Sequence, residues 1–308
     1  MSPAKSERVA VEVGGRSLSL SNLDKILYPK TGFTKGEVID YYARIAPVLV
    51  PHLSGRCITL RRFPNGVEGK SFFEKRCASH RPDWVETAVG PGDSGGEIHY
   101  CCIEEPAALV WTANLAALEL HSPMAFASDL ENPSMLVFDL DPGAPATITE
   151  CCAVALDLVE VLDSVGLEAF PKTSGSKGLQ VYVPLNTSGD DAHTHDHASS
   201  FALACGQLLA RQKPDDVVVT MKKADRPGKV FVDWSQNSRH KTTSAVYTMR
   251  ARPEPTVSTP VTWDEVSDGA DGEPLRFETA DVLDRVAEFG DLFAPTLELE
   301  QRLPSSRG

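Results

Sequence analysis

The stretch MLVFDLDPG, residues 135–143, places two acidic residues inside an apolar segment. Its alternation predicts a β-strand on which Met135, Val137, Asp139 and Asp141 share one face. A carboxylate in a buried segment is costly unless a cation compensates it, and two carboxylates so close together also repel each other. The segment therefore predicts a strand that holds carboxylates for a positively charged partner.

The spacing of the acids indicates metal chemistry. Carboxylates two residues apart on a strand suit a pair of divalent cations about 3.5–4 Å apart. A second apolar segment, KVFVDW at residues 229–234, ends in the same way with Asp233. Each aspartate alone is weak evidence, because an Asp at a strand end commonly forms a cap or turn. Together, Asp139, Asp141 and Asp233 are predicted to be catalytic metal ligands.

The segment TSGSKG, residues 173–178, predicts a phosphate-binding turn. Successive small residues leave backbone N–H groups free to bind phosphate oxygens, and Lys177 adds a positive charge. The P-loop pattern GxxxxGK[ST] is absent, so this is a different kind of site. The alternative is a tight turn between a helix and a strand that binds nothing.

The charge of the chain is unevenly distributed. The 308 residues carry a net charge of −13, which argues against a nucleic-acid partner. However, residues 1–80 hold 13 Lys/Arg against 7 Asp/Glu, and residues 211–252 hold 10 against 4. This separation is compatible with a basic face on an acidic body. The alternative is a solvated acidic surface with chance basic clusters.

Several features indicate a cytoplasmic protein. No apolar run reaches the roughly 18 residues that span a bilayer, and the N-terminal MSPAKSERVAVEV lacks the apolar core of a signal peptide. The seven cysteines include no CxxC pair. Their odd number without an export signal predicts reduced, mostly buried thiols.

Strand and helix patterns alternate along the chain. VAVEV-GG-RSLSL predicts a hairpin, and Thr34 with Glu37 predicts a capping box that begins a helix. The pattern predicts an α+β fold of mixed β-sheets flanked by helices, without a clear domain break before residue 253. The segment HTHDH, residues 193–197, precedes a helix, so a solvated loop is expected rather than a metal site.

The DxD pattern has other interpretations. Haloacid-dehalogenase phosphatases begin with an apolar strand and DxDx[TV], but Pro142 stands where Thr or Val is expected. A DxD glycosyltransferase is a further alternative. Neither interpretation predicts the neighbouring segments.

Several segments together resemble a known family. FDLDP, TSGSKGLQVYVPL, KVFVDWSQN, MRARP and VSTPVTWDEV, in this order and preceded by NLDKILYPKTGFTKGEVIDYY, are similar to the primase–polymerase domain of bacterial DNA ligase D. That domain belongs to the archaeo-eukaryotic primase superfamily, so an archaeo-eukaryotic primase-like catalytic core is expected. The resemblance predicts a single domain over residues 1–308, with a matched core at 8–290 and a C-terminal tail at 291–308. The chain has no KxDG ligase motif and is too short for ligase and phosphoesterase modules, so it resembles the stand-alone members, which are gap-filling polymerases in mycobacteria and similar organisms.

The resemblance implies roles for individual residues. Asp139, Asp141 and Asp233 would hold two Mn²⁺ or Mg²⁺ ions. The implied nucleotide-binding residues are Arg61, His121, Ser174, Lys177, Gln180, Arg226, Gln236 and Arg250. A pocket for a downstream 5′-phosphate would contain Asn22, Lys25 and Lys35, and template bases would stack on Phe72 and Phe73. At the second motif of the superfamily, Gln180 stands where His is common.

Two of these assignments also follow from the residues themselves. Lys35 begins the helix capped by Thr34, and a helix N-terminus attracts anions; the alternative is a solvated lysine. Phe72 and Phe73 would normally face a core, but adjacent residues of a strand point to opposite faces, so at least one is expected to be exposed.

The resemblance implies a template-directed DNA/RNA polymerase that fills short gaps during DNA repair by non-homologous end joining. Its expected partners are gapped or primer–template DNA with a 5′-phosphate, NTP or dNTP, and a separate ligase or end-binding protein. It would act as a monomer at the nucleoid, in the cytoplasm and away from membranes. The alternatives are a non-catalytic DNA-end-binding module and a haloacid-dehalogenase-like phosphatase.

Overall fold

The computed structural model describes residues 8–93 and 95–304. The helices of this part are α1 (Lys35–Leu53), α2 (Pro106–Asn114), α3 (Ile148–Asp163), α4 (His195–Gln212), α5 (Trp263–Ala270) and α6 (Thr279–Phe289). The strands are β1 (Arg8–Val13), β2 (Arg16–Ser21), β3 (Ile26–Tyr28), β4 (Phe33–Thr34), β5 (Thr59–Arg62), β6 (Phe72–Glu74), β7 (Thr87–Pro91), β8 (Glu97–Cys101), β9 (Ala117–Ser122), β10 (Ala125–Phe126), β11 (Asp129–Pro133), β12 (Met135–Pro142), β13 (Phe170–Thr173), β14 (Leu179–Pro184), β15 (Val217–Val218), β16 (Val230–Asp233) and β17 (Thr243–Ser244).

A five-stranded sheet, in the order β13-β14-β12-β16-β15, carries the acidic strand at its centre. Its pairs are antiparallel except β15 with β16. One face of β12 presents Leu136, Phe138 and Leu140 to a core formed with α3 and α4. The alternation of the sequence therefore separates an apolar face that packs on helices from a face that carries Asp139 and Asp141.

A four-stranded sheet, in the order β17-β9-β5-β6, forms the second layer. Helices α1 and α2 contribute to the core beside it. The buried Tyr42 hydroxyl donates to the Leu118 carbonyl at 2.7 Å, which fixes α1 against β9. The prediction of an α+β fold with mixed sheets and flanking helices is confirmed.

Short-range sequence signals act as expected. β1 and β2 form a hairpin whose turn residues, Gly14 and Gly15, have φ of 56° and 78°, a conformation that favours glycine. The Thr34–Glu37 capping box is present at the start of α1. The turn at residues 173–178 instead joins two antiparallel strands, β13 and β14, and not a helix and a strand.

The expectation that all cysteines are reduced is wrong for one pair. Cys77 and Cys101 form a disulfide with a Cα–Cα distance of 4.8 Å. The Cys77 backbone N–H donates to the His99 carbonyl at 2.7 Å, and this contact brings the two residues within disulfide range. The other five cysteines are free and buried, as predicted.

The prediction of a solvated loop at residues 193–197 is also wrong. His195 is the first residue of α4, and both His193 and His195 are buried. The His193 ring accepts a hydrogen bond from the Leu303 backbone N–H at 3.1 Å, so this histidine fixes the end of the described chain against α4. Within the described ranges, no helix is both long and apolar enough to cross a bilayer.

Candidate active site

A row of polar side chains crosses the five-stranded sheet. In the strand pairing, Lys172 lies opposite Gln180, Gln180 opposite Asp139, and Asp139 opposite Asp233. Directly opposed residues point to the same face of a sheet, so four strands contribute one side chain each. Asp141 lies on the same face, two residues further along β12.

The carboxylates of this row are electrostatically strained. Burial and the neighbouring Asp141 raise the pKa of Asp139 to about 7. Burial and Asp233 raise the pKa of Asp141 as well. In the described part of the chain, no salt bridge involves any of the three aspartates. Carboxylates that are packed together without a cationic partner fit divalent-cation ligands, because a metal would relieve their repulsion.

The carboxylates are nevertheless held by internal hydrogen bonds. Asp233 Oδ1 accepts from the Ser235 backbone N–H, and Asp233 Oδ2 accepts from Gln236 Nε2 at 2.9 Å. Among residues 8–93 and 95–304, no three His, Cys, Asp or Glu side chains are already placed to hold a metal ion. The assignment of two Mn²⁺ or Mg²⁺ ions to Asp139, Asp141 and Asp233 therefore stays a prediction.

Gln180 connects Asp139 to a fully buried lysine. Lys172 Nζ contacts Gln180 Oε1 at 2.5 Å, Ser258 Oγ at 2.6 Å and the Ser244 carbonyl at 3.1 Å. The Gln180 side chain turns its oxygen to Lys172 and its amide N–H groups to Asp139. Gln180 Nε2 then donates to Asp139 Oδ1 at 2.9 Å. Burial and Arg250 lower the pKa of Lys172 well below its ordinary value, and the charge of Asp139 acts in the opposite direction.

The predicted phosphate turn is closed by its own serine. Ser174 Oγ accepts from the backbone N–H groups of Ser176 and Gly178 at 3.2 Å each. The prediction that the backbone N–H groups of this turn are free is therefore wrong for these two. Gly175 has φ of 65°, and a Cβ there would lie 2.6 Å from the Val257 carbonyl oxygen. Both the conformation and the close approach require glycine.

A buried carboxylate that the sequence predictions missed organises several of the predicted nucleotide-binding residues. Glu119 Oε2 accepts from Arg61 Nη1 at 3.1 Å and contacts His121 Nε2 at 3.0 Å. Glu119 Oε1 lies 3.4 Å from Arg250 Nε and accepts from the Ala251 backbone N–H at 3.0 Å. Burial acts to raise the pKa of Glu119, but these donors lower it below its ordinary value. Glu119 therefore stays ionised and holds the cations in place.

The pattern ALELHS contained a signal for this residue. Glu119 and His121 are two apart in an apolar strand, which is the spacing that drew attention to Asp139 and Asp141.

Most of the predicted nucleotide-binding residues converge on one cavity of about 180 Å³. We call it the acid cavity, and its lining includes His121, Asp139, Asp141, Ser174, Gln180, Gln236, Thr242, Ser244 and Arg250. Arg226 and Lys177 lie close enough to act against the raised pKa of Asp141. The Nε atoms of Arg61 and Arg226 are buried and have no hydrogen-bond partner in the described structure. Such unsatisfied donors favour an anionic ligand.

The predicted 5′-phosphate pocket is a separate cationic cluster. Lys25 Nζ donates to Asn65 Oδ1 at 3.2 Å. Lys35 is buried, and its Nζ donates to the Ser21 carbonyl at 2.6 Å and to Asn114 Oδ1 at 2.8 Å, so it is not the solvated lysine of the alternative interpretation. Burial, Lys25 and Arg62 lower the pKa of Lys35 to about 8. Asn22 has a φ of 56°, and its carbonyl accepts a hydrogen bond from the Lys25 backbone N–H at 3.1 Å.

The predicted template-stacking residues are both exposed. Phe72 and Phe73, on β6, are 42% and 58% exposed. Phe73 packs edge-on against His121 at 5.4 Å between ring centroids, and the Arg61 guanidinium lies 5.3 Å from the Phe73 ring. The aromatic pair therefore borders two of the predicted nucleotide-binding residues, His121 and Arg61.

Comparisons with known proteins agree with this geometry. The family model "LigD, primase-polymerase domain" matches residues 34–293. The chain belongs to the LigD primase–polymerase domain family. It is 46% identical over 278 residues to the multifunctional non-homologous end joining protein LigD of Mycolicibacterium smegmatis, and 30% identical over 273 residues to the bifunctional LigD of Bacillus subtilis.

A solved structure supports the same relationship. The polymerase domain of Mycobacterium tuberculosis ligase D in complex with DNA has a TM-score of 0.83 and 40% sequence identity, and the match covers 91% of this chain and 98% of that one. The chain spans 35% of the length of the M. smegmatis relative and 43% of the B. subtilis relative.

Membership of the LigD family confirms the resemblance seen in the sequence and the prediction of a nucleotidyltransferase of the primase–polymerase class. It does not favour a phosphatase or a non-catalytic DNA-end-binding module.

Proposed function

We propose that this chain is a template-directed nucleotidyltransferase that fills short DNA gaps during end joining. The observation that carries the proposal is the acid cavity, where Asp139 and Asp141 line the same space as Arg250, which Glu119 holds. Asp233 lies opposite Asp139 in the strand pairing beside this cavity. Negative charge on one side suits metal ions, and positive charge on the other suits a triphosphate. The M. tuberculosis relative was solved with DNA, which supports DNA as the partner of this chain.

The residues divide the work of nucleotide addition. Divalent metals, when bound by Asp139, Asp141 and Asp233, would activate the primer 3′-hydroxyl and neutralise charge on the leaving pyrophosphate. Gln180 holds Asp139 in one orientation by donating to Oδ1. Arg250, Arg226 and Lys177 would bind the triphosphate oxygens, and Arg61 and His121 would border the base and sugar. An NTP or dNTP substrate, the nucleoid location, the monomeric state and a separate ligase or end-binding partner all belong to this proposal.

Extension of a gapped duplex tests the proposal. We expect addition of nucleotides only with template, and only with Mn²⁺ or Mg²⁺. We also expect UTP to be used at least as efficiently as dTTP, because no bulky aromatic residue adjoins TSGSKG to exclude a 2′-hydroxyl. Steady-state kinetics with each nucleotide and each metal measure the metal dependence and the nucleotide preference. Release of phosphate from a small phosphoester without any extension would instead support the phosphatase.

The cationic cluster predicts a preference for a phosphorylated gap. A terminal phosphate carries nearly two negative charges against one for a backbone phosphate. We expect Lys25→Ala to weaken binding to a 5′-phosphorylated gap by about tenfold, the size of one charge-assisted hydrogen bond. Binding to the unphosphorylated gap should not change. Fluorescence anisotropy at one fixed salt concentration measures both affinities.

Lys25 is the better variant because Lys35→Ala would also break the internal contacts to Ser21 and Asn114. Lys213→Ala is a suitable control, since Lys213 pairs with Asp157 at the end of α4. If the wild-type protein bound the phosphorylated and the unphosphorylated gap with equal affinity, this pocket would not recognise the 5′-phosphate.

A further inference from the structure

Three cavities follow one another along the molecule. The acid cavity shares Thr242 with a second cavity of about 290 Å³, which we call the middle cavity. The middle cavity shares Lys75, Gly92 and Asp93 with a third cavity of about 690 Å³ that is lined by Phe72 and Phe73. The middle cavity therefore adjoins both the acid cavity and the cavity of the exposed aromatic pair. Its lining includes Thr59, Lys75, Tyr100, His240, Lys241 and Thr242.

The middle cavity contains a positive charge that the protein does not neutralise. Two of its cations are paired, Lys75 with Asp93 and Arg239 with Glu131. Lys241 is exposed, and in residues 8–93 and 95–304 it forms no salt bridge. A concave site with an unpaired lysine favours an anionic ligand.

A buried hydroxyl in the same cavity lacks a partner. Thr59 is 2% exposed, and its Oγ1 forms no hydrogen bond with any described residue. Thr59 lies directly opposite His121 in the pairing of β5 with β9, so it is on the face of the sheet that borders the acid cavity. A buried hydroxyl without a partner destabilises a protein, and a ligand that accepts its hydrogen bond removes this cost.

We propose that the middle cavity binds the last backbone phosphodiester of the primer strand, with Lys241 as its counter-charge and the Thr59 hydroxyl as a hydrogen-bond donor. This inference rests on the proposed polymerase function. The primer is the strand whose 3′-hydroxyl must reach Asp139 and Asp141, so its preceding linkage occupies the space next to the acid cavity. The template bases would lie on the far side, against Phe72 and Phe73. Combined stacking and cationic contacts are typical of nucleic-acid strand grooves.

Two substitutions test the site by different physical effects. We expect Lys241→Ala to weaken primer–template binding by about tenfold. It should also lower the slope of log affinity against log salt concentration by about 0.7–0.9, the value for one lost phosphate contact. We expect Thr59→Val, which keeps the side-chain shape, to weaken primer binding by a smaller factor while leaving the unfolding temperature equal or higher. The KM for the nucleotide should be unchanged in both.

Neutral linkages identify the strand. A primer whose last linkage is an uncharged methylphosphonate should bind the wild-type protein about as weakly as a normal primer binds Lys241→Ala. The Lys241→Ala protein should bind the methylphosphonate primer and the normal primer with the same affinity. The assignment would be overturned if a methylphosphonate in the primer lowered the DNA affinity of both proteins by the same factor. It would also be overturned if the two proteins became equal in affinity only when the methylphosphonate was in the template strand. Lys213→Ala serves as the matched control.

The outcome separates this inference from the proposed function. If the wild-type protein extends primers but neither substitution changes primer affinity or salt slope, the primer site is wrong and the polymerase stands. If the wild-type protein adds no nucleotide to any primed template, the proposed function is wrong, and the primer site falls with it.

Discussion

Asp139→Asn should abolish nucleotide addition while leaving DNA binding intact. The substitution keeps an oxygen that accepts from Gln180 but removes the charge that a metal requires. Metal stabilisation of the transition state is worth several kcal/mol, so we expect a loss on the order of 10³-fold or more. Single-turnover primer extension measures the loss, and anisotropy with the same DNA measures binding. Asp233→Ala should behave in the same way.

The same variant should be more stable than the wild-type protein when metal is absent. The pKa of Asp139 is raised to about 7, against about 4 in an unfolded chain. Between these values the folded protein holds more protons, so its free energy of unfolding falls as the pH rises. The advantage of Asp139→Asn in unfolding temperature, measured in EDTA, should grow from pH 5 to pH 8. An Asp139→Asn protein that extends primers within tenfold of the wild-type rate would refute the metal-ligand assignment.

Gln180→Glu should cause the second large loss. Glutamate would still accept from Lys172, but it would turn a carboxylate oxygen towards Asp139 instead of an N–H donor. Asp139 would then lose its hydrogen bond and face an additional negative charge. Loss of a group that orients a metal ligand typically costs 10–100-fold in metal affinity or activity. Extension rates over a Mn²⁺ titration measure both effects.

Gln180→His is the matched control, because it introduces the residue that is common at this position and retains a ring N–H donor. We expect it to keep most of the activity. If Gln180→Glu matched the wild-type protein at every metal concentration, Gln180 would not orient Asp139. The fold of each variant is checked by its unfolding temperature.

The parts of the site that the sequence predicted are those with a local pattern. Alternation along residues 135–142 identifies both the strand and the face of Asp139 and Asp141, because the two-residue period needs no knowledge of distant residues. The glycine turn and the capping box at Thr34 are local in the same sense. The order of motifs then led to the LigD family.

The parts that were missed depend on contacts between residues far apart in the chain. Lys172 is held by Ser244 and Ser258, and nothing in the segment FPKT predicts its burial. The pairing of Cys77 with Cys101 depends on how the loop that follows β6 meets β8. The buried contacts of Lys35 required the position of Asn114 on α2, which lies 79 residues away.

The polar row across the sheet also makes catalysis a measure of strand register. If β12 moved by one residue against β14, Leu140 would enter the acid cavity, and the aspartates would be forced into the apolar core on α3. A misaligned sheet would have nearly the same secondary-structure content as the native one, so circular dichroism would hardly distinguish them. After refolding, the recovered rate of nucleotide addition would therefore measure the fraction of molecules whose central strands are correctly aligned. A circular dichroism signal that recovers more fully than this rate would reveal molecules whose strands are misaligned.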